Sequence, residues 1–557
     1  MSLRNVRSVG LLRVLLGVTL GVGLAVVMTV LFHWAAPTAV AFEVLPEAVP
    51  ATVATQTGYI LLVWNDLGMH CYNADYQYLA TLPPGNTLWA QVLQVGDPPQ
   101  IITTGITVTY SFADNTYSVG KTNFWDYDQL LFGVDLPPNV GLAGKGLSGT
   151  MDVYTDHFAA EGIPLTEFGD SAPTTPNPYQ LATVVVWDAE SGQKLAETAA
   201  VAPTSSEMNC AYCHYDEGVE GIATGNVELN ILALHDQRES TTLVQDAPVL
   251  CATCHASNAL PDVPMEPGQR PNLSQAIHAV HAEGDVGIPD GIDGCYLCHP
   301  GANTRCLRDV MSQPPYDMEC TDCHGTLMEV ADAGRIPWLE EPSCADSGCH
   351  DDGQHDQDAA LYRLSTGHGG VYCAGCHDSP HAIAPSREAA DGLKFIALQG
   401  YDGPLNTCAT CHVTSPASGG PHGSAPPVLV RDFILKPDRS SFQEPGSQVV
   451  YTHTLSNIGH FSDTYEIVWS SSQDWSALAV IVGGGTLYPP VTLQPGEEAR
   501  IEVTVSIPNT ETVRGQSDRT VVTATSMISP VLQRHVTDVT HVPVQIRFVY
   551  LPLILKH

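Results

Sequence analysis

The sequence predicts a multidomain chain in which two β-rich regions, residues 42–204 and 431–548, flank a loop-rich region with short helices at residues 205–425. The length of 557 residues suits three or four domains rather than one. Short alternating or β-branched runs mark the two flanking regions. Between them, Cys, His, Gly and Asp become frequent, and few helical stretches can be read, such as 272–282.

The N-terminal β-rich region contains short runs rich in β-branched and aromatic residues, separated by Gly, Pro and Asn. No helical period persists across it. We therefore predict strands at Ile60–Trp64, Leu88–Val95, Ile106–Phe112 and Leu181–Trp187.

The C-terminal region predicts a small antiparallel sandwich, because alternating strands follow Pro-Gly turns at regular spacing. The predicted strands are Val449–Leu455, Ala499–Ile507, Thr520–Thr525 and His541–Phe548. Residues 425–430 are interpreted as a linker. The apolar tail, residues 549–557, is too short to span a bilayer and is interpreted as a last strand or a sorting tail.

The N-terminus, residues 1–41, has the pattern of a targeting segment. Arg4, Arg7 and Arg13 precede an apolar run over 14–32, and Ala39–Ala41 matches a small-x-small cleavage site. The run is long for a signal peptide and close to spanning length. Cleavage after Ala41 and retention as a membrane anchor stay open, and both place the rest of the chain outside the cytoplasm.

The charge is strongly acidic, with 23 Lys plus Arg against 60 Asp plus Glu and a formal net charge of −37. This balance argues against nucleic acid and anionic membrane surfaces as partners. It suits a soluble or surface-displayed protein.

The central region repeats C-x-x-C-H, the attachment pattern of c-type haem, in which two Cys bind the haem covalently and the His ligates the iron. The six intact copies are Cys210-Cys213-His214, Cys251-Cys254-His255, Cys295-Cys298-His299, Cys320-Cys323-His324, Cys373-Cys376-His377 and Cys408-Cys411-His412. A seventh, the fifth in chain order, is stretched to C-x4-C-H at Cys344, Cys349 and His350.

One such motif also fits a redox dithiol or half a zinc site. Zinc would require Cys and His in sets of four ligands, whereas the unit here is always two Cys and one His. A disulfide scaffold would leave the following His unexplained. The repeated motif therefore predicts seven haem c groups.

Seven further His between 205 and 425 match the number of distal ligands that seven bis-His haems require. They are His235, His278, His281, His355, His368, His381 and His422. His278 and His281 are three residues apart on a predicted helix, so both rings leave one face. If one of these seven His is not a distal ligand, His70 or His157 is the alternative.

Two cysteines lie outside the motifs, Cys71 and Cys306. In an oxidising compartment they predict either a disulfide or two separate buried thiols. Asp66, His70 and Cys71 also form a short cluster for which a separate metal or ligand site is the alternative to a structural role.

Several blocks resemble a family of large bacterial multihaem cytochromes c associated with extracellular respiration. The matching blocks are Trp64–Cys71 (WNDLGMHC), Phe132–Val134, Pro137–Gly141, Ser206–Cys210, Cys306–Arg308, Cys320–Gly325 and Pro337–Pro342. The resemblance covers roughly residues 58–415 and implies electron transfer, although the stretched Cys344–Cys349 spacing departs from the family pattern. Pro445–Asn457 is similar to immunoglobulin-like repeats of bacterial surface proteins, which implies a display or spacer module.

The leading functional hypothesis is an exported electron relay at the cell surface or beyond it, which passes electrons to a redox partner protein or an extracellular acceptor, with self-assembly into a filament as an option. The alternative is a multihaem reductase of a small inorganic oxyanion, which would need one haem with an open distal position. The haem on Cys344 and Cys349 is the candidate for that position if His355 is not a ligand. Whether the chain is an enzyme stays open.

Overall fold

A computed structural model describes residues 58–542 apart from 264–269, 283–287, 289–290, 302–303, 313–315, 336–338, 343–360, 401, 415, 417–431, 460–461, 483–484, 488–489, 495 and 531. The predicted targeting segment, the linker, the apolar tail, the stretched fifth motif, His355 and His422 lie outside the described residues. Among the helices that are described, none combines the length and apolar character needed to cross a membrane.

The N-terminal region folds as two five-stranded sheets that share one hydrophobic core. The strands are β1 Tyr59–Asn65, β2 His70–Cys71, β3 Leu79–Ala80, β4 Leu88–Gln94, β5 Gln100–Ile101, β6 Ile106–Phe112, β7 Ser148–Thr150, β8 Asp152–Val153, β9 Phe158–Ala160, β10 Tyr179–Asp188 and β11 Lys194–Ser205. One sheet has the order β1-β4-β9-β8 with β5 beside β4, and the other has the order β2-β11-β10-β6-β7.

The structure confirms that this region is β-rich, and all four predicted strands are present as β1, β4, β6 and β10. The two longest described elements of this region that were not predicted are a helix and a strand. Helix α1, Phe124–Phe132, is nine residues long and ends at Gly133 in the left-handed conformation. Strand β11 is rich in Ala and Thr, so its local preference for a strand is weak, and its pairing with β10 along nearly its whole length fixes it.

The central region has little regular structure. Its helices are α2 Val227–Glu239, α3 Leu243–Asp246, α4 Leu273–Ala282, α5 Ile292–Cys295, α6 Cys320–His324, α7 Leu327–Val330, α8 Cys373–His377 and α9 Leu393–Gln399. Strand β12, Val249–Leu250, pairs in parallel with β3 and so ties this region to the N-terminal one. Short 3-10 turns occupy Cys210–Tyr212, Cys251–Thr253, Val310–Ser312, Tyr362–Leu364, His368–Gly370 and Cys408–Thr410.

The C-terminal region forms two further five-stranded sheets that enclose an apolar core. The strands are β13 Phe433–Lys436, β14 Arg439–Phe442, β15 Gln448–Asn457, β16 Asp463–Ser471, β17 Ser476–Val482, β18 Gly485–Leu487, β19 Val491–Leu493, β20 Glu498–Ser506, β21 Ser517–Ser526 and β22 Gln533–His541. The sheets have the orders β13-β15-β20-β17-β18 and β14-β22-β21-β16-β19. The predicted strands at 449–455, 499–507 and 520–525 correspond to β15, β20 and β21. Of the strand predicted at 541–548, His541 is the last residue of β22 and Val542 lies outside it. Residues 543–548 lie outside the described residues.

Buried ion pairs join the central region to this C-terminal sandwich. Asp438 accepts a hydrogen bond of 2.6 Å from Arg387 and lies 3.5 Å from Arg305. Lys436 donates to Asp402 over 2.7 Å, with both side chains nearly inaccessible. Removing one partner of a buried ion pair is strongly destabilising. These pairs therefore hold the two regions together at this junction.

Candidate functional site

The C-x-x-C-H motifs that the structure describes adopt the same compact turn. In the first, second, third and seventh motifs, the carbonyl of the leading Cys accepts hydrogen bonds from the second Cys and from the His, as Cys210 does from Cys213 at 3.2 Å and from His214 at 2.9 Å. The fourth and sixth motifs form the short helices α6 and α8. One helical turn brings positions i and i+3 to the same face. The two thiols of each motif therefore share one face.

Each of five motif His rings faces the ring of another His from a different segment. The pairs and their centroid distances are His214–His281 at 6.2 Å, His255–His235 at 6.4 Å, His299–His278 at 6.0 Å, His324–His381 at 6.0 Å and His412–His368 at 6.0 Å. In each pair, the His that lies outside the motif is one of the distal candidates predicted from the sequence.

This spacing fits one metal ion between two imidazoles. Metal–imidazole bonds are about 2 Å long, and adding roughly 1.1 Å from each nitrogen to its ring centre gives about 6 Å between the centres. Stacked rings without an ion lie closer, as His157 does to Trp89 at 4.3 Å. The five pairs thus have the separation that bis-His coordination of iron requires.

The Nδ1 atoms of several of these His are occupied by other groups. Those of His278 and His281 donate to carbonyls one turn earlier, Ser274 and Ile277, at 2.7 Å each. His255 donates to the Pro271 carbonyl at 2.9 Å. The remaining contacts are His235 with the Thr241 hydroxyl at 2.9 Å, His412 with the Asp97 carboxylate at 3.3 Å and His381 with the Cys306 thiol at 3.3 Å. A hydrogen bond at Nδ1 fixes the tautomer in which Nε2 is free to bind a metal.

Burial keeps several of these rings neutral. Burial, together with neighbouring imidazoles, lowers the pKa of His299 and of His324 to about 4. Burial also lowers the pKa of His214 and His278. Neutral imidazole is the form that ligates metals.

The protein itself leaves the surroundings of these pairs incompletely packed. Helix α4 is largely apolar, yet none of its residues is buried, and Ile277 and Val280 are 42% and 45% exposed. An apolar group such as a haem would cover these two side chains.

The motifs lie beside one another in a definite order. Helix α2 carries His235, which faces the second motif, while its Asn230 donates to the His214 carbonyl of the first at 2.9 Å. Helix α4 presents His281 to the first motif and His278 to the third. A hydrogen bond between the thiols of Cys295 and Cys320 links the third motif to the fourth and lowers the pKa of Cys295.

The later motifs continue the series. His381, which faces the fourth motif, follows the sixth motif by four residues in the chain. The sixth and seventh motifs meet where Leu405 donates to the Cys376 carbonyl at 2.8 Å, and both Cys376 and Cys411 pack against the same apolar cluster. The described motifs therefore run second, first, third, fourth, sixth, seventh through space.

The two alternative distal candidates, His157 and His70, contact residues other than a motif His. His157 stacks between Trp89 and Tyr154, and its Nδ1 contacts Asp156 at 2.8 Å. His70 contacts Asp66 at 2.9 Å. These contacts hold both rings outside the five pairs. The pairing of His350 and of His377 stays a prediction, because His355, His422 and the fifth motif lie outside the described residues.

Cys71 and Cys306 are not bonded to each other in this structure. They lie close enough that burial and then the charge of Cys306 raise the pKa of Cys71. The contacts of Cys306 with His381 and of Asp97 with His412 were not predicted, since residues 75 and 315 positions apart give no local signal. Within the described residues, no group of three or more His, Cys, Asp and Glu is arranged to hold a metal ion unaided.

No family model matches the chain, and no curated protein matches it. Among solved structures, it is similar to a family 123 glycoside hydrolase from Clostridium perfringens, with 6% identity, a TM-score of 0.16 and coverage of 19% of this chain and 23% of that one. A PapD-like domain of human CEP192 matches with 14% identity, a TM-score of 0.15 and coverage of 24% and 92%. A FixG-related protein from Vibrio parahaemolyticus matches with 9% identity, a TM-score of 0.15 and coverage of 20% and 95%. Similarities this weak indicate no function.

Proposed function

We propose that this protein is an exported multihaem c-type cytochrome that relays electrons through closely spaced bis-His haems. The observation that carries the proposal is the set of five His pairs with ring centres 6.0–6.4 Å apart, each joining a C-x-x-C-H motif to a distal His. A chance arrangement of His would not repeat one separation at five motifs.

Each proposed haem would be held by two Cys and two His. The two Cys of a motif would attach the haem covalently, and the motif His and its partner would be the ligands of its iron. When bound, haem supplies a reversible one-electron centre. An iron held by both imidazoles of a pair would have no free position for a substrate, which favours electron transfer over substrate conversion at the five paired motifs.

The spatial order of the motifs supports a continuous path that differs from the chain order. The second and seventh motifs lie at opposite ends of the described series, with the first, third, fourth and sixth between them. We assign the ends as the points where electrons enter and leave. The fifth haem, on Cys344 and Cys349, belongs to the proposal on its motif alone.

The location and partners are proposed from the sequence resemblance. The cytochrome family implies an extracellular acceptor or a redox partner protein. The C-terminal pair of sheets is proposed to be an immunoglobulin-like module for display at the surface. The buried pairs Arg387–Asp438 and Lys436–Asp402 support a module firmly packed against the haem region rather than a loosely tethered spacer.

The test is to express the chain in a host with c-type maturation and to measure the haem number by intact mass and the spin state by low-temperature EPR. Seven haems, all low-spin and unreactive towards added nitrite or sulfite, are expected. A protein without covalent haem would overturn the proposal. A high-spin haem that binds nitrite or sulfite would favour an oxyanion reductase instead.

A further inference from the structure

The carboxylate of Asp97 lies behind one of the paired His. Its Oδ1 is 3.3 Å from Nδ1 of His412 in the seventh motif, and the ring centre of His412 is 6.0 Å from that of His368. As a ligand that faces His368, His412 uses Nε2, so Nδ1 carries the proton and donates a hydrogen bond to Asp97. The carboxylate is therefore the acceptor.

Backbone contacts hold Asp97 against the seventh motif. Its second carboxylate oxygen, Oδ2, accepts a hydrogen bond of 3.0 Å from the backbone N–H of Thr414. The N–H of the preceding residue, Gly96, donates to the Cys411 carbonyl at 3.2 Å. These two contacts fix both the loop and the carboxylate, so that the remaining oxygen is directed at His412.

The same part of the N-terminal sheet also contacts the turn that carries His368. Gln91 of strand β4 donates to the Gly370 carbonyl at 3.2 Å, and a Cβ at Gly370 would lie 3.4 Å from the side chain of Ile101 in strand β5. Strands β4 and β5 are paired, and Asp97 lies in the loop between them. One hairpin therefore contacts the segments that carry both His of the seventh pair.

A carboxylate acceptor differs in charge from the partners at the opposite end of the motif series. In the second motif, Nδ1 of His255 donates to the Pro271 carbonyl at 2.9 Å. Its partner His235 contacts the Thr241 hydroxyl through Nδ1 at 2.9 Å. Both of these oxygens are neutral, and a hydrogen bond to an ionised acceptor is roughly twice as strong as one between neutral groups. The Asp97 side chain is 40% exposed, so water solvates its charge.

We propose that Asp97 is a positioning residue that holds His412 by its Nδ1 and makes the seventh-motif haem harder to reduce. The proposal rests on the function proposed above. A negatively charged acceptor at Nδ1 makes the imidazole a stronger donor to the iron, and a stronger donor favours the oxidised iron, which carries one more positive charge. Because electrons pass spontaneously towards centres of higher potential, a lowered potential here favours the seventh motif as the end where electrons enter.

The test compares Asp97→Asn, Asp97→Glu and Asp156→Asn in the haem-loaded full chain. The first keeps an acceptor oxygen but removes the charge, and the second keeps the charge. Because Asp97 is partly exposed, neither change creates a buried defect. The third is a matched control, since Asp156 is 43% exposed and contacts Nδ1 of His157, a ring outside the five pairs, at 2.8 Å. The seventh-motif haem is identified as the low-spin EPR signal lost in His368→Ala, and potentials are measured by spectroelectrochemistry.

We expect Asp97→Asn to favour reduction of this haem about tenfold, which is 59 mV for one electron, and to shift its EPR g-values. Asp97→Glu should restore part of the change, and Asp156→Asn should leave the potential and g-values of this haem in place. Unchanged values in a folded Asp97→Asn protein with its full haem complement would overturn the inference. An equal shift in Asp156→Asn would also overturn it, because loss of any surface charge would then suffice. Absence of haem from the wild type would instead defeat the proposed function itself.

Discussion

The C-terminal sandwich and the central motif region achieve stability in opposite ways. In the sandwich, alternating strand residues such as Leu455, Ile501 and Val503 are fully buried between two sheets. In the central region from 206 to 342, the described buried apolar side chains are few, and helix α4 buries none of its residues. The sandwich has an apolar core of its own, whereas the motif region is marked by paired His rings.

This contrast indicates what stabilises the fold of each region. A sandwich of this size buries enough apolar surface to offset its conformational entropy. The described part of the motif region buries few apolar side chains, and its paired His keep ring separations that suit a metal ion between them. We infer that covalent haem supplies the missing core as well as the redox chemistry.

The largest effect is expected from withholding haem. In a host without c-type maturation, the motif region should lose its structure while both β-rich regions keep theirs. Limited proteolysis with mass mapping should then show cuts concentrated between 206 and 345 and surviving fragments from the flanking sheets. Equal resistance of the haem-free and haem-loaded chains throughout the motif region would contradict this account.

The junction between the two regions should be sensitive to loss of one charge. Asp438→Asn leaves the buried guanidinium groups of Arg305 and Arg387 without a carboxylate, which should cost about 3–5 kcal/mol of unfolding free energy. Asp152→Asn is the control, since Asp152 is 61% exposed in its pair with Lys145 and should cost less than about 1 kcal/mol. Scanning calorimetry measures both, and similar small losses would show that the junction contributes little.

Within the sandwich, a cavity should weaken folding without affecting haem. Leu455→Ala in strand β15 should lower the unfolding free energy by about 2–5 kcal/mol, while Val450→Ala, at an exposed position of the same strand, should have little effect. Denaturant titration gives the stabilities, and intact mass gives the haem number. Loss of haem from a folded Leu455→Ala protein would show that the two regions are not separately stabilised.

A smaller effect is expected from acid. Burial, and then the positive charge of Arg387, lower the pKa of His535 to about 4, with Asp438, Asp317 and Arg305 as its other charged neighbours. Unfolding restores the ordinary value near 6.5, so the unfolded chain binds this proton first as pH falls. Stability should therefore decrease between pH 6.5 and 4, by at most about 3 kcal/mol from this group.

The comparison of wild type with His535→Gln isolates that contribution from the other groups that titrate in the same range. The variant should show a flatter dependence of melting temperature on pH between 6.5 and 4. Identical slopes for the two proteins would mean that His535 is protonated in the folded state as readily as in the unfolded one.

The sequence predicts local features better than distant contacts. Strand β6 is predicted at its observed bounds, Ile106–Phe112, because alternation is a local signal. Strand β11 was missed because its pairing with β10, rather than its Ala- and Thr-rich composition, determines it. The motif turns and the distal His could be listed from spacing and number, but which His faces which motif depends on how distant loops pack.

The order of the motifs in space shows this limit most clearly. The second motif lies beyond the first because helix α2 contacts the His214 carbonyl through Asn230 and carries His235 to the second motif. The contacts of Cys306 and Asp97 with paired His likewise arise only when segments far apart in the chain meet. None of these relations has a sequence period or a motif of its own.

The central claim is that the paired His hold iron, and the most direct test compares His235→Ala with His157→Ala by low-temperature EPR at full haem content. The account predicts that His235→Ala converts one haem from low-spin to high-spin and that added imidazole reverses the change. His157→Ala, which removes a buried ring stacked between Trp89 and Tyr154, should leave every haem low-spin. A His235→Ala protein in which all haems stay low-spin would contradict the account.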